Sequence, residues 1–300
     1  MSLVTILMAT YNCQEFLDEQ IQSLVNQDFN DLEFVFVDDH STDSSYSILK
    51  KYAENDSRIN VFQKPKNLGI NKTFEFGIQQ AKGDFIALSD QDDVWELNKI
   101  SLLMNSIGSS SLIYSDSQLI DAQGLKLTLY SQHNFLCDYP SPLFYTFGTK
   151  AMGHAMLFKK EILSIALPFP EFLGHDFSIG FAAACMNGVK YFPNPLVQYR
   201  QHANNAVSAN LSKAKKNRPS KAIKKNNIIK RIQFLADRCP NPTEKSIFNL
   251  LLNSYSEGSI KARLLRFNIV YKHRNSMLAY KGKSKFGEIL YPFKLLISIY

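Results

Sequence analysis

Leu32-Glu33-Phe34-Val35-Phe36-Val37-Asp38-Asp39-His40-Ser41-Thr42-Asp43 is the stretch from which the fold is read. A near-continuous apolar run of this length, rich in Val and Phe, describes a strand buried on both faces. The run stops abruptly in a polar turn rich in helix-capping residues, and a helix is expected from about Ser44 to Glu54. Working outward, the same alternation repeats. Val4 to Ala9 reads as a buried strand, and Asn12 is placed to cap a helix through Phe16, Ile21, Leu24 and Val25. Ile59 to Gln63 is a third strand, leading through Pro65-Lys66-Asn67-Leu68-Gly69 to a helix near Asn71 to Ala81. Gly83 introduces a fourth, Phe85 to Ser89, which ends in Asp90-Gln91-Asp92-Asp93-Val94-Trp95. Strands alternating with amphipathic helices define an α/β fold with a mainly parallel sheet. In open sheets of this kind ligands gather beyond the carboxyl ends of the strands. Thr10-Tyr11-Asn12, Asp38-Asp39 and the Asp90 to Asp93 cluster therefore point at one crevice.

Beyond a helix from about Leu97 to Ile107, Leu112 to Ser115 reads as a further strand, and the chain then becomes less regular around Gly124, Pro140 and Pro142. Gly153 to Lys159 reads as a strand and Phe177 to Met186 as a helix preceded by Gly174-His175-Asp176. Two short strands, Val189 to Phe192 and Leu196 to Tyr199, lead into Arg200-Gln201-His202. The charge divides at about residue 212: residues 1–212 carry 14 Lys/Arg against 23 Asp/Glu, a net −9, and residues 213–300 carry 20 against 4, a net +16. Two regions are expected, an α/β domain over 1–212 and a basic, mainly helical region over 213–300. Cys13, Cys137, Cys185 and Cys239 form no Cys-x-x-Cys pair, so a zinc knuckle or a disulfide scaffold is not expected, and the thiols should be buried and reduced.

Three carboxylates within four residues repel one another unless a cation, hydrogen bonds or protonation offsets them. A hard ion, Mg²⁺ or Mn²⁺, suits Asp90-Gln91-Asp92, because such ions favour one or two carboxylates together with phosphate oxygens and water. The plainer reading is a solvated acidic turn that caps the helix after Trp95.

The ordered motifs Ile6 to Asn12, Ser23 to Gln27, Glu33 to Asp43, Asn67-Leu68-Gly69, Ser89 to Trp95, Gly174-His175-Asp176 and Tyr199-Arg200-Gln201-His202 resemble those of the family-2 glycosyltransferases. The resemblance covers about residues 1–205 and implies the nucleotide-diphospho-sugar transferase fold of GT-A type. Within the family, Asp-Gln-Asp-Asp-Val-Trp and Tyr-Arg-Gln-His look most like rhamnosyltransferase-type enzymes of bacterial surface polysaccharide synthesis.

Several roles follow from the resemblance. Thr10, Tyr11 and Asp39 would hold the base and ribose, with Tyr11 stacking and Asp39 accepting from a pyrimidine N–H. Asp90 would face the ribose or the metal shell, and Asp92, joined by His202, would bind the ion. Asp93 is either a third ligand or a helix cap. Asp176 matches the catalytic base, although a carboxylate at a helix start is also favoured by the helix dipole alone. His175 departs from the acidic residue often found there. Arg200 would pair with phosphate or with a carboxylate at the sheet edge, and His154 would stand in the donor-sugar pocket. Trp95 would present a face to a sugar or pack under a helix.

The implied reaction is a metal-dependent, inverting transfer from dTDP-rhamnose or a UDP-sugar to a glycan hydroxyl, with an acceptor carried on polyprenyl diphosphate. Two other classes stay open: a nucleotidyltransferase, disfavoured because Thr10-Tyr11-Asn12-Cys13 stands where a glycine-rich phosphate loop would follow the first strand, and a non-catalytic sugar- or membrane-binding module. The basic region, including Lys213-Ala214-Lys215-Lys216-Asn217-Arg218, suits an anionic membrane surface or an oligomer contact. Nucleic acid is not expected as a partner, since no nucleic-acid motif is present and the first region is lined with carboxylates. No signal peptide or membrane span is read from the sequence, so a cytoplasmic protein with peripheral membrane contact is expected.

Overall fold

The computed structural model describes residues 2–202, 220–282 and 292–293. Four parallel strands form one half of a nine-stranded sheet: β1 (Val4–Thr10), β2 (Leu32–Asp38), β3 (Ile59–Gln63) and β4 (Phe85–Ser89). They are joined by α1 (Leu17–Val25), α2 (Ser45–Asn55) and α3 (Ile70–Gln80). β1 lies between β2 and β4, with Thr10 opposite Asp38 and Met8 opposite Ser89. That register brings the three polar strand ends level, as expected from the sequence.

The strands alternate their side chains between two apolar layers. Ile6, Met8, Phe34 and Phe36 pack with Leu17, Ile21 and Leu24 of α1 on one side. Leu7, Val35 and Val37 pack with Phe74 and Ile78 of α3 on the other. Gly77 of α3 allows this second layer to close: a Cβ there would come within 2.3 Å of Leu7 Cδ1.

The second half of the sheet is mixed. β5 (Val94–Trp95) is followed by α4 (Lys99–Ser106), β6 (Leu112–Ile120) and β7 (Lys126–Leu129). β8 (Met156–Lys159) runs antiparallel to both β4 and β6 and so joins the two halves. β9 (Val189–Arg200) runs parallel to β6 and antiparallel to β5. The expected pair of short strands is thus one continuous strand. Pro193 and Pro195 do not end it, because the register with β6 shifts at Asp116, and the proline-containing stretch is accommodated as an irregularity. The strand expected from Gly153 begins later, since Gly153–Ala155 forms a single 3₁₀ turn.

Asn12 does not cap α1, whose N-cap residue is Phe16. Asn12 is left-handed (φ 48°), and its Oδ1 accepts from the Thr42 N–H at 2.8 Å, tying the end of β1 to the turn after β2. All four thiols are free; Cys13 and Cys239 are buried, whereas Cys137 and Cys185 are only partly so.

α5 (Leu163–Ala166) precedes α6 (His175–Ala184), which is apolar around most of its circumference and almost wholly buried. Among the described residues three long helices follow, α7 (Lys221–Arg238), α8 (Pro242–Ser256) and α9 (Ile260–Lys272), and then a single short one, Arg274–Met277. Ser220, Asn241 and Ser259 cap the three long helices with side-chain hydrogen bonds. Phe234 and Phe248 lie 5.8 and 6.4 Å from Phe181 of α6, ring to ring, so α7 and α8 share the apolar layer of the sheet. The Lys213 to Arg218 cluster and the boundary expected at 212/213 lie outside the described residues. None of the described helices is long and apolar enough to cross a membrane.

Candidate active site

A cavity of about 670 Å³ opens at the carboxyl ends of β1, β2 and β4. Thr10, Tyr11, Asp39, Asp90, Asp92, His154 and Asp176 all line it. A smaller cavity of about 440 Å³ adjoins it, lined by Asp92, Tyr11, Gln91 and His202 among others. Asp92, Gln91 and Tyr11 thus form the partition between the two.

Tyr11 is 43% exposed and projects at the mouth, as a stacking platform for a base would. Its backbone is clamped by Gln91, whose Oε1 accepts from the Tyr11 N–H at 2.6 Å and whose Nε2 donates to the Tyr11 carbonyl at 3.3 Å. Gln91 therefore ties the acidic turn to the end of β1, a role the sequence motif contained but did not reveal. Asp39 is almost buried and accepts from the N–H groups of Leu68 and Gly69 at 2.9 and 2.8 Å and from Lys64 Nζ at 2.9 Å. Those contacts fix its carboxylate at the cavity wall and bind the Asn67-Leu68-Gly69 loop to β2.

The acidic turn divides by environment. Asp90 is partly exposed, and its Oδ2 is 3.4 Å from His154 Nδ1. Burial, the largest single influence, opposes ionisation of Asp90, but the hydrogen bond and charge of His154, with His175 and Lys99 nearby, together hold the carboxyl below its usual range. Burial likewise opposes the charge on His154, but Asp93 and Asp90 beside it raise its pKa. His154 Nε2 meets Ser117 Oγ at 3.0 Å, and its ring lies against Tyr199. Asp93 is wholly buried; burial, with Asp90 and Asp92 nearby, pushes it up to about 8. Asp93 Oδ1 accepts from the Arg200 N–H at 3.0 Å, and its Oδ2 has no hydrogen-bond partner. It does not cap a helix, because α4 begins at Lys99 after Asn98.

Asp92 faces the other way. Its Oδ2 is 2.8 Å from His202 Nε2, which pairs the two residues singled out as metal ligands. Desolvation, with Asp90 close by, raises the Asp92 carboxyl against the opposing pull of His202. Oxygen and nitrogen atoms of Asp90, Asp93 and His154 also lie within 4.8 Å of one another, a second set able to hold an ion. Asp93, however, lines neither cavity. Asp92 borders both cavities, whereas Asp90 lines only the larger and His202 only the smaller; carboxylate oxygens opening onto a cavity suit Mg²⁺ or Mn²⁺, which favour them together with phosphate oxygens and water.

Arg200 lines neither cavity. Its buried guanidinium donates to Glu19 Oε2 at 2.5 Å, to the Asp92 carbonyl at 2.9 Å and to the Ala122 carbonyl at 3.2 Å. The carboxylate contact anticipated for it is made by α1, and Arg200 braces the backbone of the acidic turn from behind. Trp95 is buried, with Lys99 Nζ 3.1 Å from its ring centroid.

Asp176 lies in the first turn of α6, where its Oδ1 accepts from the Phe177 N–H at 2.7 Å. Gly174 is needed here because a Cβ would come within 2.3 Å of that oxygen. Asn71 holds the approach to α6: its Nδ2 donates to the carbonyls of Pro170 and Leu173 at 3.1 and 2.8 Å, and its Oδ1 accepts from the His175 N–H at 3.1 Å. Burial lowers the pKa of His175, whose ring packs 4.2 Å from that of Phe74. Nothing in the local sequence marks Asn71, since its partners are about 100 residues away.

Lys99 was also not evident beforehand. It is completely buried and donates to the His154 carbonyl at 2.6 Å. Burial drives its pKa well below the ordinary 10.5, so between the two values the folded state has released a proton that the unfolded chain still holds. The unfolded state then binds more protons between the two values, so stability rises with pH over that interval and is lost as pH falls through it. In Lys99→Met this contribution is absent. Urea unfolding of Lys99→Met is expected to show a shallower loss of stability than wild type as pH is lowered from about 10.5; parallel curves would refute the uncharged lysine.

The parallel half-sheet with its acidic strand end, joined by β8 to a mixed half, is the GT-A architecture of glycosyltransferases. The chain belongs to glycosyl transferase family 2, whose family model matches residues 5–163. An uncharacterized glycosyltransferase of Haemophilus influenzae is 27% identical over 87% of this chain and 98% of its own length. The Escherichia coli UDP-Glc:alpha-D-GlcNAc-diphosphoundecaprenol beta-1,3-glucosyltransferase WfaP is 27% identical over 79% of this chain and 89% of its own. Among solved structures, Staphylococcus aureus TarS in complex with UDP-GlcNAc superposes with TM-score 0.62 at 15% identity, covering 98% of this chain and 88% of that one. The Pyrobaculum calidifontis mannosyltransferase with GDP-Man and Mn²⁺ gives TM-score 0.52 at 16% identity, covering 99% and 87%. These likenesses support the GT-A fold. The protein is a glycosyltransferase rather than a nucleotidyltransferase or a non-catalytic module.

Proposed function

We propose that the protein transfers a sugar from a pyrimidine nucleotide-diphospho-sugar, a UDP-sugar or dTDP-rhamnose, to a hydroxyl of a polyprenyl-diphosphate-linked surface glycan, with inversion. The observation that carries this reading is one cavity that holds both the strand-end carboxylates and Asp176. Tyr11 and Thr10 would receive the base and ribose, and His154 would stand beside the donor sugar. Asp176 takes the proton of the acceptor hydroxyl as its oxygen attacks the anomeric carbon and the bond to the diphosphate oxygen breaks. A single displacement of this kind inverts the anomeric configuration. Asp90, Asp92 and His202 would hold a divalent ion, which when bound neutralises charge on the departing diphosphate.

The glucosyltransferase relative, whose name specifies UDP-Glc and a diphosphoundecaprenol-linked acceptor, supports a UDP donor and a lipid carrier. The mannosyltransferase solved with Mn²⁺ supports a divalent ion. On this reading residues 1–212 form the catalytic domain of a cytoplasmic enzyme, and the basic region 213–300 associates peripherally with the inner face of the membrane.

The test is a donor screen. UDP-glucose, UDP-galactose, UDP-N-acetylglucosamine and dTDP-rhamnose are offered with a polyprenyl-diphosphate-linked acceptor, with Mg²⁺, Mn²⁺ or EDTA, following nucleoside diphosphate release. Transfer by at least one donor, lost in EDTA and giving a product of inverted anomeric configuration by NMR, is expected. Transfer unaffected by EDTA would remove the metal, and a retained configuration would remove the single displacement.

A further inference from the structure

Helix α9 is amphipathic in an unusual sense. Ala262, Arg266, Ile269 and Val270 form its buried side. At 100° per residue, Ile260, Leu264, Phe267 and Tyr271 fall on one stripe facing away from them. Ile260 is 76%, Leu264 48% and Tyr271 39% exposed. Phe267 stacks on Tyr271 at 5.6 Å between ring centroids and also meets Phe293, itself an exposed aromatic, at 4.9 Å. The stripe is therefore a continuous apolar patch with aromatic rings, of the kind that marks an interaction surface.

Its borders are cationic. On the same wheel Arg263 flanks one edge, and Lys261 and Lys272 flank the other. No Asp or Glu occurs between Gly258 and Gly287. An apolar face with aromatic residues between basic edges matches a helix lying in the plane of a bilayer, with its side chains among acyl chains and its cations at anionic headgroups. Pairing with a second copy through this face would set cation against cation with no acidic residue of the helix to compensate. We propose that the outward face of α9 is the surface by which the protein docks on anionic phospholipid.

The inference rests on the peripheral membrane association proposed above and assigns it to particular residues. It is tested with the full chain and vesicles of phosphatidylglycerol and phosphatidylcholine, with pure phosphatidylcholine for comparison. Wild type is expected to sediment with the anionic vesicles and poorly with the neutral ones. Ile260→Ser/Leu264→Ser is expected to weaken that partitioning at least about tenfold, since two large apolar anchors are lost. Lys261→Gln/Arg263→Gln/Lys272→Gln is expected to weaken it about tenfold or more. Because Ile260, Lys261, Leu264 and Lys272 are exposed and Arg263 is partly so, both variants should keep the wild-type circular-dichroism melting profile and rate of nucleoside diphosphate release without vesicles.

Equal binding of wild type and both variants would leave membrane association standing and overturn the assignment to α9. Failure of wild type to bind anionic vesicles would remove both. Equal binding of wild type to neutral and anionic vesicles would overturn the anionic-lipid specificity. A wild-type dimer dispersed by Leu264→Ser in sedimentation velocity would show that the face instead joins two copies of the chain.

Discussion

Replacing Asp176 with Asn is expected to lower kcat about 10²- to 10⁴-fold while leaving donor affinity within about a factor of two. The substitution is chosen for what it preserves. The Asn carbonyl oxygen can still accept from the Phe177 N–H, as Asp176 Oδ1 does at 2.7 Å. The side chain keeps its size beside Gly174, where there is no room for a larger neighbour. What disappears is the ability to take a proton from the acceptor hydroxyl. Asp176 is far in sequence from the strand-end groups proposed to hold the nucleotide, so a pure loss of base strength should appear in kcat. Turnover by rapid quench and donor affinity by calorimetry separate the two. Unimpaired transfer by Asp176→Asn would exclude it as the base.

The parts of this architecture legible in sequence were those where local pattern and tertiary environment agree. Leu32 to Asp38 and Val4 to Thr10 are buried along their whole length, so apart from Glu33 and Thr5 they read as apolar runs whose polar ends stand out. Parallel register then placed Thr10, Asp39 and Asp90 together almost without further information. β9 was misread because prolines argue locally against a strand, whereas the irregular pairing with β6 that absorbs them is decided by another part of the chain. Asn12 was misread for a related reason: a residue type suited to capping is equally suited to a left-handed turn, and the Thr42 N–H that it binds is 30 residues away. Arg200 and Lys99 show the limit for charged groups. The sequence offered Arg200 for phosphate or a carboxylate and did not single out Lys99 at all; burial makes the first a brace for the acidic turn, through the Asp92 carbonyl and the Asp93 carboxyl, and pushes the pKa of the second well down.

The acidic turn provides the second large effect. Asp92→Ala is expected to reduce transfer about 10²- to 10³-fold and to weaken binding of Mn²⁺ in the presence of UDP, measured by electron paramagnetic resonance. Asp92 stands between the two cavities, and its carboxylate is paired with His202 at 2.8 Å. Truncation would remove a proposed oxygen ligand together with the carboxylate that meets His202 Nε2. Asp93, one residue on, is the internal comparison. Burial, with Asp90 and Asp92 nearby, pushes its pKa up to about 8 and so favours its protonated form, which Asp93→Asn reproduces in charge and nearly in shape. Its Oδ1 contact to the Arg200 N–H can be kept by the amide oxygen. Asp93→Asn should therefore retain most activity and bind Mn²⁺ with near wild-type affinity. The opposite outcome, with metal binding surviving Asp92→Ala and failing in Asp93→Asn, would transfer the ion to the set formed by Asp90, Asp93 and His154. The paired measurement thus decides between two donor sets that share one short turn, one built on Asp92 with His202 and the other on the buried Asp93 with Asp90 and His154.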